Sequence, residues 1–437
     1  MRLKDNSLHT LSANDKRYCL PDLEAISGRT IESLISENPK LLVFPQSFEK
    51  SQDKLSANMI LTFERATSKI RTGNLMGFIG IRKTQVEICS RFESDLGNDF
   101  FLHYLLQKVF SLNLFSWKHE SKQDSVLDIL ALIFPHFLKK ALFQGVYKEY
   151  RTQKYNDANI RGGIDFARHI RTNIPFCGRI AYRTREYSSE NALSHLIRHT
   201  IEYLRGDKIF ASLLHFDKET EDAVSKIVAA TPSFNPAEQE RVIAKNLRPR
   251  VHPLFSEYGP LQKICIQILR HDSLKYGNTK DEISGVLFDG AWLWEEYLAT
   301  LPALKDFSHP KNKTGAGRKY IFSDKRGYCY PDFYNHLCVL DAKYKDKPSV
   351  DSSRPDTFQI ISYLHILNVR KGGFISPSTR CAFDWVTSKR ELSGIGGALA
   401  SFHLEIPQHT AEYAEFCREI KRSENELSQK IQQFLET

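Results

Sequence analysis

The sequence predicts a mixed α+β protein with a β-containing N-terminal part, a helical middle and a compact C-terminal α/β part. Three observations predict it. Apolar residues recur at helical spacing over long central stretches. Short apolar runs bounded by turn residues occur near the N-terminus and again after about residue 320. A helix, two strands and a second helix follow one another after about residue 285. At 437 residues the chain is too long for one typical domain. The divisions drawn are 1–150 (mixed), 151–280 (mainly helical) and 281–437 (α/β).

Within the first part, Leu41–Phe44 is a short apolar strand, and Phe78–Ile81 with Val86–Cys89 reads as a hairpin around Arg82-Lys83-Thr84-Gln85. The period then changes. Phe101, Leu102, Leu105, Leu106 and Val109 share one helical face, as do Val126, Ile129, Leu130, Ile133 and Phe134. The latter run is too short to span a bilayer and is expected to stop at Pro135. Helices are expected over Ala192–Leu204 and Leu261–Leu269. Five prolines between them (Pro232, Pro236, Pro249, Pro253, Pro260) predict turns and short helices. In the last part a helix is expected over Val286–Leu301, then a Gly/Lys-rich loop, two short strands and a helix from near Thr357.

The composition, 41% hydrophobic and 26% charged, is that of a globular protein and excludes global disorder. The formal net charge of +9 suits a phosphate-bearing partner; an excess of this size also occurs in proteins that never touch nucleic acid. The eight cysteines are Cys19, Cys89, Cys177, Cys265, Cys329, Cys338, Cys381 and Cys417. They are scattered with no CxxC, which argues against a zinc ribbon or an iron–sulfur cluster. Dispersed thiols without a signal peptide read as a reduced, cytoplasmic chain with no membrane partner.

The chemistry is concentrated around Pro331-Asp332 and Asp341-Ala342-Lys343. Val339–Tyr344 reads as a strand, so Asp341 and Lys343 project to one face and Leu340, Ala342 and Tyr344 to the other. With Asp332 near the preceding strand, two carboxylates converge with one ammonium. Such a grouping suits phosphodiester hydrolysis: carboxylate oxygens hold Mg²⁺, and the lysine orients water or stabilises the transition state. On the triplet alone, a solvated strand edge explains the same residues. Two further features bear on the choice. The helix through Trp292-Leu293-Trp294-Glu295-Glu296 sets carboxylates among large apolar residues, and one glutamate can face the metal or pair on the surface. Gln359 and Tyr363, four apart, share a helical face from which an amide and a phenol reach a phosphate or the lysine. The preceding loop carries Lys311, Lys313, Arg318, Lys319, Lys325 and Arg326, a backbone-contacting set or a solvated loop. No GxxxxGK[ST] occurs, so a nucleotide-burning step would belong to another chain.

Asp332, Asp341-x-Lys343 and Gln359-x-x-x-Tyr363 resemble the PD-(D/E)xK nuclease superfamily. The wider context resembles the McrC family, the nuclease subunits of modified-cytosine restriction systems. The matching stretches are Arg161–Arg171, Ser188–Leu204 around Glu190-Asn191, Leu293–Leu298, Val339–Tyr344 and Asp356–Leu367. The resemblance covers about residues 160–370. It implies a C-terminal PD-(D/E)xK domain that cuts double-stranded DNA, with Mg²⁺ held by Asp332, Asp341, the carbonyl of Ala342 and, by best match, Glu295 rather than Glu296. It also implies a partner: an McrB-like AAA+ ring that hydrolyses GTP, contacted by the N-terminal part. The Arg161–Arg171 segment reads as a contact to DNA or motor, or as a hairpin with a basic outer face. Three other readings share features with this one. They are a sequence-specific LlaJI-type endonuclease subunit, a catalytically idle DNA-binding activator of the motor, and a free-standing RecB-like exonuclease.

Overall fold

The computed structural model describes residues 1–38, 41–45, 58–82, 84–94, 96–110, 125–247, 253–270, 283–310, 317–346, 354–379, 385–394 and 396–437. The chain is mixed α/β with several sheets. It divides into two compact units, residues 1–126 with 273–437, and residues 127–272.

In the first unit, β1 (Arg2–Lys4), β3 (Leu41–Phe44), β6 (Leu75–Ile81), β7 (Thr84–Cys89) and β11 (Ile283–Asp289) form one sheet in the order β1-β7-β6-β11-β3. The strands β2 (Leu8–Thr10), β4 (Leu61–Glu64) and β5 (Lys69–Thr72) form a separate small sheet. The expected strand Leu41–Phe44 and the hairpin at 78–89 are present. Ile81 pairs with Thr84, and Arg82, just after Ile81, takes φ 51°.

The strand β11 departs from expectation, since Val286–Leu301 was assigned to a helix. Residues Ile283–Asp289 are instead a strand buried along its whole length, and the helix runs Gly290–Ala299. A short apolar run buried on both faces carries no alternation, so periodicity does not separate it from a helical turn. Asp289 sets the boundary by accepting the Trp292 N–H at 2.8 Å as N-cap. Because β11 pairs with β3 and β6, a stretch placed by sequence in the C-terminal part completes the N-terminal sheet. The contact is close: a Cβ on Gly77 would lie 2.2 Å from the Val286 carbonyl oxygen.

The second unit is less purely helical than expected for 151–280. Here β8 (Glu149–Asp157), β9 (Gly163–Ile164) and β10 (Ile180–Ser188) form an antiparallel sheet in the order β8-β10-β9. β8, and β10 from Arg183 on, expose every second residue, and their polar Tyr/Thr/Arg-rich sequences leave little apolar alternation to read. Arg161–Arg171 falls on β9 and the helix Phe166–Thr172. The predicted helices follow at Ala192–Arg205, capped by the Asn191 side chain, and at Tyr258–Leu269. The helix Ser125–Phe143 contains Pro135.

The site-bearing part of the first unit follows β11. A small hairpin, β12 (Lys319–Tyr320) and β13 (Tyr328–Cys329), leads into a sheet of β14 (Phe333–Tyr334), β15 (Cys338–Ala342), β16 (Lys371–Ser378), β17 (Arg390–Glu391) and β18 (Ala398–Glu405). Its order is β14-β15-β16-β18-β17, with β15, β16 and β18 parallel. Parallel neighbours need a crossover. The helix Arg354–Leu367 lies on that crossover and buries Ile360 and Leu364 against Val339, Phe374 and Leu399. The helix Gly290–Ala299 is anchored by Trp294, whose indole donates to the Ile375 carbonyl at 3.2 Å. Just past β15, Tyr344 reaches the N-terminal sheet: its hydroxyl lies 2.9 Å from Ser90 Oγ, and the Arg91 guanidinium stacks 4.7 Å from its ring centre.

Candidate active site

The turn between β14 and β15 decides where the two aspartates go. Asn335 accepts the N–H groups of Leu337 and Cys338, both at 2.9 Å, and folds β14 back on β15 with Phe333 opposite Leu340. Asp332, one residue before β14, therefore arrives beside the end of β15. Its Oδ2 accepts the Ala342 N–H at 2.7 Å. The buried Asp341 and half-buried Lys343 stand on one face, as alternation requires, with Lys343 Nζ 2.6 Å from Asp341 Oδ2. The structure thus brings Asp332, Asp341 and Lys343 together.

These groups open on a cavity of about 470 Å³ whose walls include Glu295, Asp332, Asp341, Lys343, Gln359 and Tyr363. All six predicted side chains therefore line one cavity, as does Ala342. Glu295 is a wall residue, whereas Glu296 accepts a hydrogen bond from the Trp292 indole at 3.2 Å. Of the basic loop, Lys311 and Lys313 lie outside the described residues. Arg318 and Lys319 stack on the rings of Tyr328 and Tyr334, and Arg326 pairs with Asp324 at 3.1 Å. Arg161 and Arg168, in the other unit, are tied to their own sheet: Arg161 donates to the Tyr182 hydroxyl at 3.1 Å and Arg168 to the Tyr182 carbonyl at 2.8 Å.

The electrostatics of the pair are unusual for surface aspartates. Burial holds the Asp332 carboxyl well above its ordinary range, and the charges of Asp341 and Glu295 push it further; the Ala342 N–H and Lys343 pull the other way. Burial also raises Asp341, against the opposing pull of Lys343. Two buried carboxyls side by side seek positive charge, which a shared proton or a divalent cation supplies. The buried Asp341 Oδ2 has the Lys343 ammonium as its charged neighbour at 2.6 Å, the kind of positive partner that a cation also supplies. That oxygen fits a metal ligand. The hard-oxygen set of Asp332, Asp341 and Glu295 fits a small divalent cation. Among the described residues, no three Asp, Glu, His or Cys side chains already close around a single point.

Lys343 is held on three sides. Besides Asp341, Gln359 Oε1 accepts from Nζ at 3.1 Å and Asp356 Oδ1 lies 3.4 Å away. Burial lowers its affinity for a proton, but Asp341, Asp356 and Asp332 outweigh burial and keep it firmly cationic. With Oε1 turned to the lysine, the Gln359 Nε2 donates to Tyr363 Oη at 2.9 Å. Tyr363 accepts there, so its own proton is free to be donated, and burial keeps that proton on. A fixed cation and a phenol donor beside two carboxylates can bind and polarise a phosphate. The sequence reading missed Asp356 and Lys345, which share this cavity. The i, i+3, i+7 spacing of Asp356, Gln359 and Tyr363 was the available signal.

A family model described as "McrBC 5-methylcytosine restriction system component" matches residues 70–377. One solved structure covers 98% of this chain and 99% of its own at 14% identity and TM-score 0.52. It is described as a refined half-complex from a tetradecameric assembly of Thermococcus gammatolerans McrB AAA+ hexamers with bound McrC. A second, of the Thermococcus gammatolerans McrBC complex, covers 69% and 86% at 12% identity and TM-score 0.34. No curated protein matches the chain. The first structural likeness shows a shared fold over nearly the whole length. No described helix is long and apolar enough to cross a membrane. The family match spans well over half of the 437 residues and includes the whole cavity except Asn58, and the chain belongs to the McrBC restriction-system component family.

Proposed function

We propose that this chain is the DNA-cutting subunit of an McrBC-like restriction system, a Mg²⁺-dependent endonuclease working with a separate GTP-hydrolysing AAA+ partner. The observation that carries the reading is the meeting of Asp332, Asp341 and Lys343 at the wall of one cavity. Asp332, Asp341 and Glu295, with the carbonyl of Ala342, would hold Mg²⁺. The ion would neutralise phosphate charge and make hydroxide available from water. The chain's own part is positioning. Lys343 faces the phosphate as a fixed cation and orients the attacking water. Gln359 fixes the direction of that lysine, and Tyr363 donates a hydrogen bond to a phosphate oxygen. The likeness to a structure of McrB hexamers with bound McrC supports an AAA+ partner for this chain too.

The test is cleavage of 5-methylcytosine-containing plasmid by the full chain with its AAA+ partner, GTP and Mg²⁺. Asp341→Asn should abolish cutting while the chain still folds and still stimulates GTP hydrolysis. Undiminished cutting by the variant rules the site out. Equal cutting of unmethylated DNA carrying one defined sequence would favour the LlaJI-type alternative.

A further inference from the structure

The roles above leave the wall residues Asp356 and Lys345 unused. Asp356 lies near the start of the helix Arg354–Leu367, three residues before Gln359 and seven before Tyr363, so the three form one stripe facing the cavity. Its two oxygens have different partners. Oδ1 lies 3.4 Å from Lys343 Nζ, and Oδ2 accepts a hydrogen bond from Lys345 Nζ. The two lysines follow β15 two residues apart. Lys343 is the more enclosed, with 17% of its side chain exposed against 42% for Lys345.

Two ammonium groups this close repel one another and compete for the same carboxylates. If Lys345 took Asp341, Lys343 would lose its 2.6 Å contact and its alignment with Gln359. A carboxylate between them removes the competition by giving each lysine its own oxygen. The more exposed lysine then remains on the solvent side of the cavity, where an anionic backbone arrives.

We propose that Asp356 is a positioning residue of this site: it divides its oxygens between Lys343 and Lys345, keeping Lys343 on Asp341 and presenting Lys345 to a phosphate of the bound nucleic acid. The inference rests on the DNA-cutting reading. Asp356 touches neither Asp332 nor the reacting atoms in this scheme and acts through the lysines.

A double-mutant cycle tests it, with Asp356→Asn, Lys345→Met and both together in the full chain with AAA+ partner, GTP and Mg²⁺. Asp356→Asn should slow single-turnover cutting at saturating DNA by about tenfold or more, and by no more than about twofold when Lys345 is already Met. Lys345→Met alone should weaken DNA binding and reduce its salt slope by about one. Asp356→Glu should restore part of the rate. An Asp356→Asn penalty of the same size in both backgrounds would overturn the proposal, because a purely structural carboxylate is indifferent to Lys345.

A readout without cutting separates this proposal from the reading beneath it. Brief acetylation of the isolated chain, followed by peptide mass spectrometry, should label Lys343 slowly in the wild type and several-fold faster in Asp356→Asn, with lysines other than Lys343 and Lys345 unchanged. Unchanged labelling of Lys343 refutes the positioning role. Faster labelling in a chain that never cuts leaves the positioning role standing and refutes the nuclease assignment.

Discussion

Asp332 Oδ2 accepts the backbone N–H of Ala342 at 2.7 Å, so one carboxylate is pinned to the strand residue that follows the other, Asp341. The bond sets the spacing of the pair without using a side chain of the site. Burial raises both carboxyls, and the charges of Asp341 and Glu295 raise Asp332 further.

That arrangement costs stability that a cation would restore. In EDTA, Asp341→Asn should melt at the same temperature as the wild type or higher, because it removes one of two repelling carboxyls. Addition of Mg²⁺ at about a hundred times its Kd should stabilise the wild type by roughly 2.7 kcal/mol and leave the variant unmoved. Thermal melts with and without Mg²⁺ check this. An equal Mg²⁺ shift in both proteins would place the cation elsewhere.

Lys343 is separable from metal binding. Lys343→Met should reduce single-turnover cutting by about a hundredfold or more, the scale for removing a fixed donor of transition-state charge. Mg²⁺ affinity measured by calorimetry should stay within a few-fold of wild type. A loss of rate that merely tracks lost Mg²⁺ binding would assign the lysine to holding the carboxylates, not to the phosphate.

The adjacent glutamates give a sharper contrast. Glu295 lines the cavity, and Glu296 is engaged with Trp292 on the same helix. Glu295→Gln should lower cutting at limiting Mg²⁺ by about tenfold or more, whereas Glu296→Gln should stay within about twofold. Reversed effects would shift the metal carboxylate by one residue.

Much of this site could be read from the sequence, for a physical reason. Strand alternation fixes the relation of Asp341 to Lys343, and helical spacing fixes that of Gln359 to Tyr363; both are local rules that tertiary packing did not override. The choice between Glu295 and Glu296 depends on how the helix Gly290–Ala299 is rotated, which is set by distant partners such as Trp294 on the Ile375 carbonyl. The same limit explains β11. Its seven residues are apolar enough for a helix or a strand, and only pairing with β3 and β6, far away in sequence, selects the strand. The hairpin of β8 and β10 escaped notice because its strands alternate in exposure but barely in hydrophobicity.

Asp99 gives a pH-dependent signature in the N-terminal part. It caps the helix Phe100–Val109, accepting from Leu102 at 3.2 Å and from the Ser90 N–H at 2.7 Å. Burial nevertheless pushes its carboxyl up to about 7. The folded chain therefore holds this proton where the unfolded chain, titrating near 4, has released it. The contribution of Asp99 to stability is complete below the unfolded value and falls away as pH rises towards 7. Urea melts at pH 5 and pH 8 should show Asp99→Asn losing less relative to wild type at pH 8. A difference independent of pH would mean that the carboxyl is ionised in the fold throughout.

The C-terminal helix is tied to the scaffold of the site through one buried carboxylate. Glu424, on the helix Tyr413–Glu436, is buried; its Oε1 accepts from the Tyr104 and Tyr297 hydroxyls, each at 2.8 Å, and its Oε2 from Lys108 Nζ at 3.2 Å. Tyr297 belongs to the helix that carries Glu295, and Tyr104 to the helix Phe100–Val109. One carboxylate thus ties three helices that are all far apart in the sequence. Glu424→Ala strands two buried phenols and a half-buried ammonium, and should cost about 3–5 kcal/mol, the scale for breaking a buried charged network. Glu424→Gln keeps an acceptor for the phenols and should cost less. Urea unfolding of the full chain measures both. If Glu424→Ala unfolds like the wild type, the network is not what fixes the Glu295 helix against the C-terminal helix, and the packing of Phe416 and Ile420 must suffice.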